Sequence, residues 1–398
     1  LLALLAFGCK RGTTDPAPAL IHAPEAASEH NANPRATAAR WVGSAEARRT
    51  SIRRTADRIR SECERAAGGD WERWQSQTAS YRAALAGRIA SLQRSKLPRG
   101  LLHPQALYEP LAGSENFPLF EIAAGDNLRY LTEQQPMSEN IVAAANRWLQ
   151  KQGIDLVLVP APKMTEVYID RFIDPAPADG VIAPHVRKAM LTLLEDDVDV
   201  LDVFRLFRTQ SGQQRLPYLY NTCDLHWAPY GMGVAAHALA ELLTRYPAVC
   251  GWRKEPARFM RVSTPYMLNA WRGGIGAQDS WPALSPDQQA LATKWQEMNS
   301  LAVRLPDGSP APGDTDSPIL LIGNSFVPYF QDRVMDELNM PVRVRWGGGH
   351  TTEAFRDFLR QPELLKGVKL VVWVVTEYYM TKFSPLPDAI ATTSSDRK

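Results

Sequence analysis

The sequence predicts an α/β protein: a three-layer α/β/α arrangement around a doubly wound, mainly parallel sheet, with an N-terminal helical extension. Three observations predict it. Five short stretches read as strands, "IDLVLVP", "VDVLDVF", "PILLI", "VRVRW" and "KLVVWVV", and most are apolar throughout, as strands buried on both faces are. Helical stretches separate most of them, and such alternation gives a parallel sheet covered on both sides. The chain has 398 residues, enough for one large α/β domain with appendages.

The N-terminus opens on "LLALLAFGC", an apolar run without an initiator Met that ends at Gly8 and Cys9. It reads as the end of a secretory segment whose upstream residues are missing, and it is too short to span a bilayer. Cys9 after a small residue resembles a bacterial lipoprotein cleavage site, with Ala6 where such sites usually carry Leu. The expectation is a periplasmic protein anchored through lipid on Cys9, with a plain signal peptide and a trimmed membrane anchor as the alternatives; all three place it outside the cytoplasm. Residues 10 to 37, rich in Ala, Pro, Thr and Asn, read as a flexible linker. Residues 38 to 95 read as a helical extension, broken at Gly68 and Gly69. Its Arg run suits either an anionic surface or, more simply, a solvated helix face.

Residues 96 to 398 are expected to form the main domain. "FPLFEIAAGDNLRYL" suggests a short strand or hairpin. Ser138 then precedes a helix with Ile141, Ala144, Ala145, Trp148 and Leu149 on one face, ended by Gly153. "IDLVLVP" follows as a strand, "APHVRKAMLTLLED" as a helix and "VDVLDVF" as the next strand. A helix with Met232, Ala235, Ala236, Leu239, Leu242 and Leu243 at helical spacing comes next, ended by Pro247. Residues 251 to 315 lack a clear strand pattern and read as an irregular insertion. "PILLI", "VRVRW" and "KLVVWVV" complete the sheet.

Net charge is +2, from 45 basic and 43 acidic residues. That balance argues against nucleic acid as a partner, which requires a clustered basic excess. Cys63, Cys223 and Cys250 remain beside Cys9. In an oxidising compartment Cys223 with Cys250 is the expected disulfide. Neither CxxC nor HExxH spacing occurs, so a tetrahedral zinc site is not expected.

Ligands of such folds bind at the carboxyl ends of strands. There "PILLI" runs into Gly323, Asn324, Ser325 and Phe326, followed by a helical stretch. A Ser between strand and helix is exposed at the sheet edge, beside backbone N–H groups that stabilise an oxyanion. This is the logic of a nucleophile elbow without its GxSxG pattern; the plain alternative is a helix N-cap. In "YNTCDLHWAPYG", Asp224 and His226 stand two apart after an extended stretch. Residues two apart in extended chain share a side. Ser325 would attack, His226 would take its proton and Asp224 would fix the imidazole. His350 in "WGGGHTTEAF" is the rival base. The run Gly347 to Gly349 makes a turn, with an oxyanion N–H from Gly348 as a second role. Trp227, Trp346, Tyr378 and Tyr379 lie near strand ends, where they either stack on sugar or pack in the core.

"CDLHWAPYG", "LLIGNSF" and "VLVPAPKMTEVY" together resemble the SGNH-hydrolase-like domain of bacterial polysaccharide O-acetyltransferases of the AlgJ/AlgX, alginate-acetylating type. That family carries its Asp-x-His-Trp block ahead of its Ser block, the reverse of ordinary SGNH esterases. Asp224, His226 and Ser325 fall on its Asp, His and Ser. Pro160, Pro162, Lys163 and Tyr168 fall on a strand-end segment, and Glu377 on a Glu of the closing strand. Asn324 departs from the Asp that usually precedes the Ser. The resemblance spans residues 117 to 382. It implies acetyl transfer through a Ser acyl-enzyme to hydroxyls of an exopolysaccharide or cell-wall polysaccharide, a reaction that needs no metal and no cofactor. The implied partners are the polysaccharide acceptor, a membrane-bound O-acyltransferase as acetyl donor, and other polysaccharide secretion components. Asn324, Gly348, Trp227 and Tyr378 are candidates for oxyanion or substrate binding. Two alternatives stay open: a carbohydrate acetyl esterase with the same triad, and a non-catalytic polysaccharide-binding subunit.

Overall fold

Where the chain was expected to form strands, it builds a five-stranded sheet whose carboxyl edge carries the site. The computed structural model describes residues 43–94, 108–110, 116–118, 128–211, 219–220, 226–252, 260–265, 299–304, 316–346 and 352–391. Three helices come first: α1 (Ala45–Ala67), α2 (Trp71–Gln77) and α3 (Ala79–Arg94). A small antiparallel hairpin follows, β1 (Tyr108–Pro110) with β2 (Asn116–Pro118). Next come α4 (Glu139–Gln150), β3 (Asp155–Ala161), α5 (Pro184–Glu195), β4 (Asp199–Val200), α6 (Val203–Ser211) and α7 (Pro229–Leu243). Then come β5 (Met260–Pro265), β6 (Asn299–Arg304), β7 (Ile319–Gly323), α8 (Phe326–Leu338), β8 (Arg343–Trp346), α9 (Glu353–Arg360) and β9 (Leu370–Thr376).

The sheet order is β4-β3-β9-β7-β8, and every neighbouring pair runs parallel. β9 lies at the centre with all seven residues buried, which is why "LVVWVVT" shows no alternation. Crossovers between parallel strands are right-handed. The steps from β3 to β4 and from β8 to β9 run one way across the sheet, and the step from β7 to β8 runs the other. So α5 and α9 cover one face, and α8 covers the opposite face. Phe355 of α9 meets Trp148 of α4 at 6.3 Å and Trp373 of β9 at 5.0 Å between ring centroids, which puts α4 on the face of α9. On the other face α7 packs against α8.

Two expectations about strands need correction. Of "VDVLDVF" only Asp199 and Val200 pair as a strand. The Asp202 carboxylate accepts a hydrogen bond from the Arg205 N–H at 3.2 Å, so the chain turns into α6 there instead of extending. The stretch 251 to 315 contains an antiparallel pair, β5 with β6, separate from the main sheet, and β6 packs on α8.

The N-terminal helices are fastened to the α/β layers. Ser44 caps α1 by accepting from the Ala47 N–H at 3.0 Å, and Gly68 ends it in the left-handed region at φ +64. Ile52, Ala56, Ile59 and Cys63 of α1 are buried. Arg58 of the Arg run bonds Asp202 at 2.9 Å, and Arg48 meets Asp155 at 3.2 Å. Deeper down, Arg187 of α5 bonds Glu62 of α1 at 3.0 Å and Asp202 at 2.7 Å. Arg205 joins Glu62 at 2.7 Å. Burial pulls the Arg187 pKa down, but Asp202 and Glu62 raise it further, so the net shift is upward. Burial raises the Asp202 pKa and Arg187 overcomes it, holding the carboxylate well below its usual range. Residues 1–42, with the Cys9 site and the linker, lie outside the described residues. Among the described residues no helix is long and apolar enough to cross a membrane.

Candidate active site

The turn after β7 fixes the Ser. Gly323 ends the strand at φ +147, a backbone region closed to side chains. A Cβ there would stand 1.8 Å from the carbonyl oxygen of Val374 in β9. Asn324 follows, buried, and its Oδ1 accepts from the Phe326 N–H at 3.1 Å. Asn324, not Ser325, therefore supplies the side-chain cap of α8. Ser325 has helical dihedrals, φ −59 and ψ −9, and makes no capping bond. Among the described residues its N–H has no acceptor, so it remains available to a developing oxyanion at a helix N-terminus.

The His is held by a pinched loop. Tyr220 and Trp227 form an antiparallel bridge, and the Ala228 N–H donates to the Leu219 carbonyl at 2.9 Å. Gly231 lets this crossing close: a Cβ there would lie 2.0 Å from the Leu219 oxygen. The pinch is tied to the end of β3. The Tyr220 hydroxyl donates to the Pro162 carbonyl at 2.7 Å, and the Leu219 N–H donates to the Tyr168 hydroxyl at 3.2 Å. Trp227 is buried against Phe207, Phe326 and Phe330 at 5.2 to 5.5 Å between centroids. The His226 ring lies 4.8 Å from the Phe326 ring.

These two devices bring His226 Nε2 to 2.8 Å from Ser325 Oγ. This is hydrogen-bonding distance for a nucleophile and its base, across 99 residues of sequence. Such a contact, with no cap bond from Ser325, is not what simple helix capping would give. With Oγ–H donating, Nε2 is the bare nitrogen and Nδ1 carries the proton, an assignment made from the hydrogen bond. Asp224 lies outside the described residues, as do Gly348, His350, His103 and Cys223. The expected Cys223–Cys250 pairing therefore falls outside them too. Cys250 Sγ donates to the Thr244 carbonyl at 3.2 Å.

The remaining candidates separate by burial. Trp227 is enclosed in the core, where it backs the His226 loop and offers no face to a sugar. Tyr378 is also buried, and its hydroxyl accepts a hydrogen bond from Lys382 Nζ. Asn324 is buried with its Nδ2 unpartnered among the described residues, behind the turn that carries Ser325. Trp346 is the exposed exception, at 53%. His185 is buried, and its pKa falls to about 4, first through burial and then through Arg82. His237 sits on the exposed side of α7 and meets Glu337 at 3.0 Å.

The residue-by-residue reading of the sequence missed Glu166. Glu166 follows β3, and Glu377 directly follows β9; both are buried. Glu166 accepts from the Tyr130 hydroxyl at 3.1 Å. Burial first, then the Glu166 charge, push the Glu377 pKa well up. As two ionised carboxylates they would only repel; with Glu377 protonated, its O–H donates to Glu166. The available signal was two acidic residues just beyond adjacent buried strands.

The family model described as the SGNH hydrolase-like domain of acetyltransferase AlgX matches residues 124–377. Among solved structures, the chain is similar to the O-acetyltransferase domain of Pseudomonas putida AlgJ at 20% identity, covering 69% of this chain and 93% of that one with a TM-score of 0.45. It is also similar to Pseudomonas aeruginosa AlgX at 18% identity, covering 76% and 73% with a TM-score of 0.43. Bacillus cereus PatB1, at 10% identity, covers 62% and 91% with a TM-score of 0.35. No curated protein matches the chain.

Proposed function

The chain belongs to the SGNH hydrolase-like acetyltransferase family of AlgX, and from that premise we propose that it moves acetyl groups through Ser325 onto hydroxyls of an extracytoplasmic polysaccharide. The single observation that carries the reading is the 2.8 Å contact between His226 Nε2 and Ser325 Oγ. In the first half-reaction Ser325 Oγ attacks the acetyl carbonyl carbon while its proton passes to His226 Nε2. The Ser325 N–H holds the oxyanion; such a donor is worth about 3 kcal/mol of barrier. Collapse expels the donor's leaving group, which takes the proton from His226. In the second half a sugar hydroxyl gives its proton to His226 and attacks the acetyl-Ser carbonyl. Collapse then returns the proton to Ser325 Oγ and releases the sugar ester. Asp224 holds the imidazole in the tautomer this needs.

The acetyl donor is a membrane-bound O-acyltransferase, which brings the group across the bilayer. Lipid on Cys9 and the linker through residue 37 would hold the enzyme beside that donor in the periplasm. Residues 96–398 form the acyltransferase domain.

The test is incubation with a chromogenic acetyl ester, with and without oligosaccharide. Acetylated sugar that disappears in Ser325→Ala supports transfer. Acetate release indifferent to every sugar makes the protein an esterase. Polymer acetylation in cells unchanged by Ser325→Ala makes it a non-catalytic subunit.

A further inference from the structure

We propose that Trp346 is the platform on which a sugar ring of the acceptor chain stacks, beside the nucleophile. This rests on the transferase reading and adds where the acceptor lies. Trp346 ends β8, the edge strand of the main sheet. Its side chain is 53% exposed; the other large apolar side chain in this class among the described residues is Leu359, at 37%. About half of the indole is open to water, which leaves apolar ring surface available for stacking.

Position and direction both point to the reaction. Trp346 is the register partner of Gly323 on the neighbouring strand, and Gly323 stands two residues before Ser325. Neighbouring strands lie about 4.8 Å apart. Side chains alternate along a strand. Arg345 reaches Asp357 of α9 through Nε at 3.2 Å and Nη2 at 3.0 Å, so it points to the face that α9 covers. Trp346 points to the other face, that of α8, which begins directly after Ser325. The indole thus stands on the nucleophile's side of the sheet, at its carboxyl edge.

The chemistry of the occupant follows. A pyranose ring presents a face of C–H groups that stacks on an aromatic face. Its hydroxyls project from the ring edge, where one is free to approach an acetyl carbonyl. Stacking tolerates variation in the hydroxyl pattern, which suits an acceptor met as successive residues of a polymer.

Kinetics and fluorescence test this with oligomannuronate as one sugar probe, cello-oligosaccharide as the second, and p-nitrophenyl acetate as donor. Trp346→Ala is expected to raise the acceptor KM about tenfold while kcat stays within about twofold. Trp346→Tyr, which restores an aromatic face, is expected to recover most of the affinity, and Trp346→Leu is not. Adding the sugar is expected to shift the protein's tryptophan emission, and Trp346→Tyr to remove the shift. An acceptor KM unchanged in Trp346→Ala overturns the platform and leaves the transferase reading standing. A wild-type enzyme that acetylates neither sugar overturns the transferase reading. The emission titration then decides the platform alone: a shift that vanishes in Trp346→Tyr sustains it, and an absent or persisting shift overturns it.

Discussion

At the scale of single residues, the site depends on one atom, Ser325 Oγ, relieved of its ordinary role. Ser325 precedes a helix, where its hydroxyl would normally cap the first turn. Asn324 takes that role through its 3.1 Å bond to the Phe326 N–H, and Ser325 Oγ faces His226 instead. Asn324→Ala is therefore expected to cost about 1 kcal/mol of stability, read by denaturant titration, and to lower turnover by loosening the serine. Gly323→Ala is the harsher change. Its Cβ would meet the Val374 carbonyl at 1.8 Å with φ in the left-handed region, and the expected loss is several kcal/mol, or failure to fold. A variant as stable as wild type would contradict this geometry. Sequence made Ser325 and His226 legible because a Gly two residues before a Ser, and a His ahead of Trp-Ala-Pro, both stood at element boundaries. Glu166 was not legible that way. Its significance arises only when Glu377 is packed beside it, and sequence separation hides that.

At the scale of elements, the parallel strands were legible because burial on both faces leaves an unbroken apolar run. "VDVLDVF" misled because Asp202 caps a helix in mid-run, and apolar content alone cannot mark that switch. The docking of α1 was hidden for another reason. Its Arg run looked solvent-facing, yet Arg48 and Arg58 pair with carboxylates of the main domain, and Glu62 is buried against Arg187. Removing one partner from a buried pair leaves a stranded charge. Arg187→Met is expected to cost about 3–5 kcal/mol, measured by denaturant unfolding, because Glu62 and Asp202 stay behind. Replacing Glu62, Asp202 and Arg187 together with apolar residues should cost less than the single change. The reverse order would show that the network itself holds α1 in place.

At the scale of the whole molecule, the layers converge their chemistry on one edge: Ser325, Trp346, Glu166 and Glu377 all lie at or just past the carboxyl ends of strands. For Ser325 and Trp346 that placement was legible from the order of elements; for the Glu166–Glu377 pair it was not. Nor was the electrostatic state beneath the edge, because it depends on burial. The folded-state pKa of Glu377 is raised, so the stability it permits is whole below about pH 4.5 and is lost as pH rises towards the folded value. Glu377→Gln, which keeps a donor for Glu166, is expected to melt higher than wild type by a margin that widens with pH. A margin constant from pH 4 to pH 9 would contradict the protonated pair. His185 acts in the opposite sense. Its pKa drops to about 4 on folding, so its contribution is present above the unfolded value near 6.5 and is lost as pH falls towards about 4. The central claim, that acetyl passes through Ser325, is tested most directly by mass spectrometry of the protein quenched during turnover of an acetyl ester. The predicted result is one acetyl group on the peptide holding Ser325, formed in wild type, absent in Ser325→Ala and discharged by the acceptor sugar. Turnover without any adduct at Ser325, or an adduct equally abundant in Ser325→Ala, would contradict it.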